Sequence, residues 1–339
     1  MFLTIFLVLC FLAGMAASGR WLKLAQARHW FDYPNQRSSH IRATPKSGGV
    51  GFALVFFAVL IFFSWRNLIS AEQLWLCIPG LGLAVSGFLD DIGDLGILQR
   101  IGVQSVAVIA GLWILPGLPW LVLPGISLDN SILMLLVLSI GWLWLINLYN
   151  FMDGIDGLAA IEGVFVALAL GWFALAAGLH GSGLLMLALA AILGGFVCFN
   201  WAPARLFMGD AGSNFLGYVL PAYALMLVLN GAITLWTFII LLAVFVSDST
   251  LTLLKRIRAR LVWYHGHRSH AYQLLARTAY GHDGVVVGVT AINMVWLLPL
   301  AWLSLRYQDW GWLLTLVAYV PVLLLVHRCH ARYLSSGME

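Results

Sequence analysis

Charged residues are scarce in this sequence: Asp, Glu, Lys and Arg make up 9% of its 339 residues, against 62% that are hydrophobic. So few polar side chains cannot cover the surface of a soluble globule of this length. Apolar runs of about 20 residues recur instead, each long enough to cross a bilayer. No long polar linker divides the chain. We therefore predict an all-α polytopic membrane protein, with residues 1–339 forming a single transmembrane helical domain.

Hydropathy predicts about eleven membrane-spanning helices. They are centred on residues 3–19, 49–65, 73–89, 101–115, 131–148, 158–178, 184–200, 214–229, 232–249, 285–304 and 310–327. The first run lacks preceding basic residues, so we expect a retained helix with a periplasmic N-terminus, not a cleaved signal. An odd number of helices then makes the C-terminus cytosolic. All Lys and Arg residues except Arg66 and Arg306 fall on the cytosolic side, as the positive-inside rule requires.

Several sequence features that would indicate other functions are missing. The four cysteines form no CxxC pair and lie in or at the ends of apolar helices, which is typical of packed thiols and not of zinc sites or disulfides. Neither a GxxxxGK[ST] motif nor a strand followed by GxGxxG occurs, so no P-loop or Rossmann site is predicted. A pI near 9.0 follows from topology, and no nucleic-acid partner is expected.

A membrane transporter is also disfavoured. Ion-coupled carriers place ionisable residues near the bilayer midplane. The predicted helix centres here are almost free of such residues, and Asp248 is the deepest.

Acidic residues concentrate on the predicted cytosolic side, which a rule about Lys and Arg does not explain. A polar site at the inner membrane boundary would explain them, because the chemistry of such a site offsets the cost of carboxylates there. We expect the catalytic loops at residues 23–47, 90–100, 149–157, 200–213 and 250–284.

Two acidic motifs suggest how these carboxylates divide their roles. In "LDD", Asp90 and Asp91 would point about 100° apart on a helix, so one can meet a metal or reacting oxygen while the other orients a cation. In "NLYNFMDGIDGLA", Asp153 and Asp156 would share one face if the turn is helical. The glycine after each aspartate leaves the backbone open to a ligand. An aspartate N-cap would account for only one of the two.

A third acidic motif and two basic loops complete the predicted site. In "FNWAPARLFMGDAGS", Asp210 lies between glycines in a tight turn, and Ser213 would cap the following helix. Acids without a His–Cys pattern favour Mg²⁺ or Mn²⁺ over zinc. Cations come from Arg37, His40, Arg42 and Lys46 in the first loop and from His265, His267, Arg268 and His270 in the last. These cations could bind a pyrophosphate. Alternatively, the first loop could serve only to set the membrane orientation, and the last loop could anchor the chain to anionic lipids.

In these motifs the chain resembles the polyprenyl-phosphate N-acetylhexosamine-1-phosphate transferases of glycosyltransferase family 4. The family includes O-antigen-initiating enzymes and the phospho-MurNAc-pentapeptide translocase. The resemblance covers residues 31–283, through "DYPNQRSSH", "LDD", "NFMDGIDGLA", "FNWAPARLFMGDAGS" and "HGHRSH". The family often has HIHH or HHH in its last loop, where this chain has His267, Arg268, Ser269 and His270. That departure favours the O-antigen branch over the translocase.

The resemblance implies transfer of GlcNAc-, FucNAc- or QuiNAc-type sugar phosphate from a UDP-N-acetylhexosamine to undecaprenyl phosphate, with release of UMP. The site would lie at the cytosolic face of a bacterial inner membrane, and a homodimer is compatible with the sequence. The implied roles are Mg²⁺ binding by Asp210, Asn150 and Asp91, diphosphate contact by Asp153, uridine contact by Asp156, Asn200 and Phe207, acceptor contact by Asp90 or Asp91, and phosphate contact by Lys46, His267, Arg268 and His270.

Two alternatives remain open. A CDP-alcohol phosphatidyltransferase is also a polytopic Mg²⁺ enzyme, but its DGxxAR core is not matched after Asp153 and Gly154. A carrier for a lipid-linked sugar would show substrate flux and release no UMP.

Overall fold

The computed structural model describes residues 1–34, 42–119, 121–123, 126–128, 132–261, 268–278 and 280–334. The helices in this part are α1 (Phe2–Ala27), α2 (Gly49–Trp65), α3 (Ala71–Gly93), α4 (Ile97–Ile114), α5 (Ile132–Met152), α6 (Leu158–Ala176), α7 (His180–Asn200), α8 (Gly209–Leu229), α9 (Leu235–Leu241), α10 (Ala243–Arg258), α11 (Ala271–Ala276), α12 (Gly281–Ile292), α13 (Leu298–Arg306) and α14 (Gly311–Leu334). A π-helical turn, Asn293–Leu297, joins α12 to α13. The predicted all-α polytopic class is confirmed.

Four very short strands accompany the helices in the described part of the chain. β1 (Phe31–Asp32) pairs antiparallel with β2 (Thr44–Pro45), and β3 (Leu121–Leu123) pairs antiparallel with β4 (Ile126–Leu128). The first pair brings the chain after α1 back against the chain before α2.

Within the described residues, nine helical segments are long and apolar enough to cross a membrane. The pair α9 and α10, bent by 72°, supplies a tenth if it forms one span. Helix α2 is apolar but has only 17 residues. Each predicted run overlaps one of these elements. The count of eleven spans and the orientation stay predictions.

Helix α8 lies at the centre of the bundle. Its residues from Ala211 to Leu227 are all buried, and it packs against α2, α3, α5 and α6. Helix α3 approaches the start of α8 so closely that a Cβ at Gly87 would overlap the Asp210 carbonyl. A small residue is therefore required at this crossing.

Loops from distant parts of the chain are joined by backbone hydrogen bonds at one end of the bundle. The N–H of Gly48 donates to Phe207 O at 2.8 Å, and the N–H of Phe207 donates to Pro45 O at 2.8 Å. The same end holds the C-terminal ends of α3, α5 and α7 and the N-terminal ends of α4, α6 and α8, as the side-chain contacts described below show. The predicted gathering of the acidic motifs on one face is thus found in the fold.

The structure departs from three local expectations. Asp153 and Asp156 do not share a helical face, because residues 153–157 form a non-helical break that ends at Gly157 with φ +80°. Ser213 does not cap α8, which begins earlier, at Gly209; Ser213 lies inside the helix and donates to Gly209 O at 3.3 Å. Asp90 and Asp91 occupy the end of α3, not a loop.

Candidate active site

The Asp91 carboxylate joins the first loop to the start of α8. Ser47 Oγ donates to Asp91 Oδ2 at 2.7 Å, and the backbone N–H of Asp210 donates to Asp91 Oδ1 at 3.2 Å. The first N–H groups of a helix have no partner within the helix, so Asp91 acts as a cap from another segment. Gly209 has φ +71°, and a Cβ there would overlap Asp91 Oδ2. Glycine at this position therefore permits the Asp91 contact.

Asp210 stands at the centre of the acidic residues. Asn150 Nδ2 donates to Asp210 Oδ1 at 2.7 Å and to Ser213 Oγ at 3.2 Å. Arg100 Nη1 lies 3.8 Å from Asp210 Oδ2. The amide and the guanidinium hold this carboxylate from two sides.

The neighbouring aspartates of α3 have different partners. Asp90 is buried; its Oδ1 accepts from the N–H of Leu95 at 2.8 Å, and its Oδ2 lies 3.3 Å from Arg100 Nη1. Asp91 instead contacts Ser47 and α8. One aspartate thus orients a cation, and the other faces the start of α8.

Asp153 lies in the break between α5 and α6, half-buried. Burial raises its pKa well above the usual value, and the charges of Asp210, Asp91 and Asp156 raise that pKa further. The four carboxylates therefore share one electrostatic neighbourhood. A cation bound among them would relieve their repulsion.

Asp156 and Asn200 connect this break to the loop before α8. The N–H of Ala204 donates to Asp156 Oδ2 at 3.0 Å, and His282 Nδ1 lies 3.3 Å from the same oxygen. Asn200 Oδ1 accepts from the N–H of Gly157 at 3.1 Å, while Asn200 Nδ2 donates to Leu206 O at 3.0 Å. These two side chains fix the loop that carries Phe207, which is half-buried.

The last loop packs on the segment that leads to Asp153. His270 is buried, with Nδ1 3.3 Å from Asp248 Oδ1 and its ring centroid 6.3 Å from that of Phe151. Tyr272 Oη donates to Phe151 O at 2.8 Å. A Cβ at Gly154 would overlap Tyr272 Oη, so glycine is needed here to leave room for the tyrosine hydroxyl. We had expected this glycine to leave room for a ligand.

The remaining predicted cations are placed as follows. Lys46 is half-buried and within electrostatic range of Asp91. Arg268 is exposed, and its carbonyl accepts from Arg277 Nη2 at 3.0 Å. Arg42 is exposed, whereas Arg37, His40, His265 and His267 lie outside the described residues.

Three residues of the site were not predicted from the sequence. Arg100 pairs with the acids, His282 contacts Asp156, and Asp248 holds His270. Arg100 falls within the expected loop 90–100 and could have been proposed as the cation beside Asp90. Nothing in the sequence pairs His282 with Asp156 or Asp248 with His270, because these contacts join segments far apart in the chain.

The donor set fits the Mg²⁺ that the resemblance implies. The oxygens of Asp91, Asp153, Asp210 and Asn150 are hard ligands. After burial, the charges of Asp210 and Asp91 are the next causes of the raised pKa of Asp153, so a cation among these side chains would be stabilised. In the part of the chain that is described, no three Asp, Glu, His or Cys side chains form a complete ligand set. Mg²⁺ commonly takes one or two carboxylates and completes its shell with water and substrate phosphates.

Comparison with known proteins gives one family. The model of "Glycosyl transferase family 4" matches residues 73–228, which include Asp90, Asp91, Asp153, Asp156 and Asp210 but not Lys46, Asp248 or the last loop. The chain is 29% identical over 295 residues to decaprenyl-phosphate N-acetylglucosaminephosphotransferase of Mycobacterium tuberculosis, covering 75% of this chain and 71% of that protein.

Two further relatives are similar over comparable lengths. The phospho-N-acetylmuramoyl-pentapeptide-transferase of Streptococcus pyogenes is 34% identical over 230 residues, which is 62% of this chain and 66% of that protein. A probable undecaprenyl-phosphate N-acetylglucosaminyl 1-phosphate transferase of Bacillus subtilis is 27% identical over 281 residues, which is 78% of this chain and 74% of that protein.

Proposed function

This chain belongs to glycosyl transferase family 4, and on that premise we propose that it transfers N-acetylhexosamine 1-phosphate from a UDP-N-acetylhexosamine to undecaprenyl phosphate. The observation that carries the proposal is the meeting of Asp91, Asn150 and Asp210 at the start of α8. Three motifs from distant parts of the sequence there form a compact acidic site, as a divalent cation and a nucleotide diphosphate require.

The proposed reaction is a displacement at phosphorus. An oxygen of the lipid phosphate attacks the β-phosphorus of the UDP-sugar and forms a new P–O bond. The bond from the β-phosphorus to the bridging oxygen breaks, and UMP leaves with that oxygen and its electron pair. A phosphate monoester has a second pKa near about 6 and is mostly a dianion at neutral pH. The acceptor therefore needs no general base.

Positioning and charge stabilisation provide most of the catalysis in such reactions. When bound, Mg²⁺ would neutralise charge on the diphosphate and on the leaving UMP. Asp210, Asp91 and the amide oxygen of Asn150 would hold the ion. Ser47 and the N–H of Asp210 fix the Asp91 carboxylate for this task.

Other residues would bind the two substrates. Asp153 would sit beside the diphosphate, and Asp90 or Asp91 would engage the acceptor phosphate. Asp156 and Asn200 support the loop from which the Phe207 ring would stack on uracil. Lys46, His267, Arg268 and His270 would contact the phosphates.

The sugar and the pathway belong to the same proposal. We propose an N-acetylhexosamine of the GlcNAc, FucNAc or QuiNAc type and a role in starting O-antigen or a related envelope glycan. The last loop supports this choice, because His267, Arg268, Ser269 and His270 depart from the HIHH or HHH of other members. We further propose that the site faces the cytosol of a bacterial inner membrane, in a monomer or a homodimer.

A reconstitution tests the proposed function. Purified protein is incubated with Mg²⁺, undecaprenyl phosphate and each of UDP-GlcNAc, UDP-FucNAc and UDP-QuiNAc, and UMP and the lipid product are measured by mass spectrometry. We expect stoichiometric UMP and undecaprenyl-diphospho-sugar with at least one donor. The absence of UMP with every donor, or release of CMP from CDP-diacylglycerol instead, would overturn the proposal. Sugar flux without UMP would indicate the carrier.

A further inference from the structure

A buried carboxyl group in α6 faces the start of the π-helical turn. Glu162 is 1% exposed, and Asn293 is completely buried. Asn293 Nδ2 donates to Glu162 Oε2 at 2.6 Å. Among the described residues, no Lys, Arg or His forms an ion pair with Glu162. An ionised carboxylate without a cation is costly in a membrane interior, so we expect Glu162 to be the neutral acid.

One proton on Glu162 also accounts for two polar atoms that otherwise have no partner. Glu162 Oε1 and Asn293 Oδ1 are both buried without a hydrogen-bond partner. When Glu162 is ionised both atoms are acceptors, so neither can satisfy the other. A carboxylic acid has one O–H donor. A proton on Oε1 makes the two oxygens complementary, and the acid and the amide can then exchange two hydrogen bonds.

This pair holds a helix that has few buried residues of its own. In α12 only Val285 and Val286 are buried, and the main neighbours of the helix are α6 and α11. Lipid tails are as apolar as valine, so these side chains give α12 little preference for α6 over lipid. Hydrogen bonds between the helices therefore decide where α12 lies.

The first turn of α12 contacts the candidate active site. His282 Nδ1 lies 3.3 Å from both the backbone nitrogen and Oδ2 of Asp156. A bare Nδ1 accepts from the N–H and a protonated one donates to the carboxylate, so the contact exists in either state. Asp156 in turn accepts from the N–H of Ala204, in the loop that carries Phe207. Helix α12 thus connects the Glu162–Asn293 pair to the part of the site proposed for uridine.

We propose that Glu162 is a positioning residue for donor binding: as a neutral acid paired with Asn293, it fixes α12 on α6 and so holds His282 against Asp156. The inference rests on the proposed function for the role of Asp156 beside uridine. The pair itself and the proton on Glu162 are properties of the protein that do not depend on the reaction.

Two substitutions separate a neutral Glu162 from a charged one. Glu162→Gln is uncharged and offers Asn293 both a donor and an acceptor, so we expect kcat and KM within about twofold of wild type. Glu162→Leu cannot pair. We expect its KM for the UDP-sugar to rise by about threefold to fifteenfold, the equivalent of one interhelical hydrogen bond in a membrane, with kcat nearly unchanged. Equal losses in the two variants, or a fall in kcat alone, would overturn the proposal.

A double-mutant cycle tests whether the effect passes through His282. His282→Ala already lacks the contact with Asp156, so adding Glu162→Leu should raise KM no further. Additive increases in KM would show that Glu162 does not act through His282 and would overturn the proposal.

Thr290→Val is the matched control on α12. Thr290 Oγ1 donates to Val286 O at 2.8 Å within the same helix, so its removal leaves the contacts with α6 in place. We expect the wild-type KM. A rise in KM equal to that of Glu162→Leu would mean that any change in α12 has this effect, and would count against the proposal. If Glu162→Leu does not fold, Asn293→Leu replaces it with the same expected KM.

Infrared spectroscopy measures the proton on Glu162 without the reaction. The spectra of wild type and Glu162→Gln are subtracted at about pH 7, where an exposed glutamate is ionised. We expect the difference to contain the C=O band of a protonated carboxyl group. Carboxylate bands in its place would overturn the proposal.

Hydrogen exchange measures the hold of the pair on α12, again without the reaction. The backbone N–H groups of α12 should exchange faster in Glu162→Leu than in wild type, and at the wild-type rate in Glu162→Gln. Equal exchange in all three proteins would overturn the proposal. If the wild type folds but releases no UMP, the proposed function fails, while the infrared and exchange measurements still test the Glu162–Asn293 pair.

Discussion

The side-chain amide of Asn150 donates to Asp210 Oδ1 at 2.7 Å and so joins the end of α5 to the start of α8. The "NFMDG" and "MGDAG" stretches meet at this bond, 60 residues apart in the chain. The same Asp210 gives its backbone N–H to Asp91. Three acidic motifs are thus linked by two hydrogen bonds.

Asp210→Asn should remove the central charge and keep the fold, because an asparagine oxygen can still accept from Asn150. We expect UMP release to fall by about a hundredfold to a thousandfold, the range for loss of one electrostatic stabiliser. Steady-state kinetics on protein with an unchanged elution profile measure this.

Asp94→Asn is the matched control for Asp210→Asn. Asp94 is exposed at the end of the same α3 that carries Asp91, and its φ of +49° suits asparagine. Its activity should stay near that of wild type. A near-normal rate for Asp210→Asn, or an equal loss in both variants, would remove Asp210 from the metal role.

Gly209→Ala should displace Asp91, because the new Cβ would overlap Asp91 Oδ2 in addition to straining a φ of +71°. Gly178→Ala has a similar strain at φ +80° but no atom within 4 Å of the new Cβ. Each substitution costs about 1–2 kcal/mol of backbone strain. Only Gly209→Ala should also lose most of its UMP release. The two variants are compared by their rates per amount of folded protein. Equal activity in the two variants would contradict the role given to Asp91.

Removal of divalent cations should stop the reaction. Excess EDTA is expected to abolish UMP release, and Mg²⁺ or Mn²⁺ should restore it, because oxygen ligands favour these ions. Mg²⁺ at about 100 times its Kd should also stabilise the wild-type protein by about 2.7 kcal/mol, whereas the Asp210→Asn variant should gain less. Full activity in EDTA would show that the acids serve another purpose.

Asp153→Asn should change the dependence of stability on pH. In the unfolded chain an aspartate ionises near about 3.9, whereas the raised pKa of folded Asp153 keeps its proton to higher pH. The unfolded state therefore releases that proton first, and the free energy of unfolding falls as the pH rises above about 4. Asparagine avoids this loss.

The measurement is thermal unfolding of both proteins in EDTA at about pH 5 and about pH 8. We expect the variant to gain Tm relative to wild type as the pH rises, and to lose activity. If the difference in Tm between the variant and the wild type is the same at both pH values, Asp153 does not have the raised pKa on which this prediction rests.

The sequence was sufficient for the membrane class and for the gathering of the acids on one side. Hydropathy, the positive-inside rule and the placement of carboxylates are all properties that can be counted along the chain. The adjacent Asp90 and Asp91 also behave as helix geometry requires, with one on Arg100 and the other on α8.

The local geometry of the site was harder to predict. The non-helical break at 153–157 ends at the left-handed backbone of Gly157, whose N–H donates to Asn200 Oδ1, a contact between segments 43 residues apart. The cap of α8 comes from Asp91 on another helix, so a search for a local capping residue selected Ser213 wrongly. Contacts such as that of His282 with Asp156 follow only from the folded arrangement.

The fate of the β-phosphorus tests the central claim most directly. Wild-type protein is given UDP-GlcNAc labelled with ³²P at the β-position, undecaprenyl phosphate and Mg²⁺, and the label is followed in the lipid and nucleotide fractions; any accepted UDP-sugar from the panel can replace UDP-GlcNAc. Attack at the β-phosphorus predicts that the label moves to the lipid and that the nucleotide product is unlabelled UMP. Label retained in UDP would mean that the sugar alone is transferred, and would contradict the account.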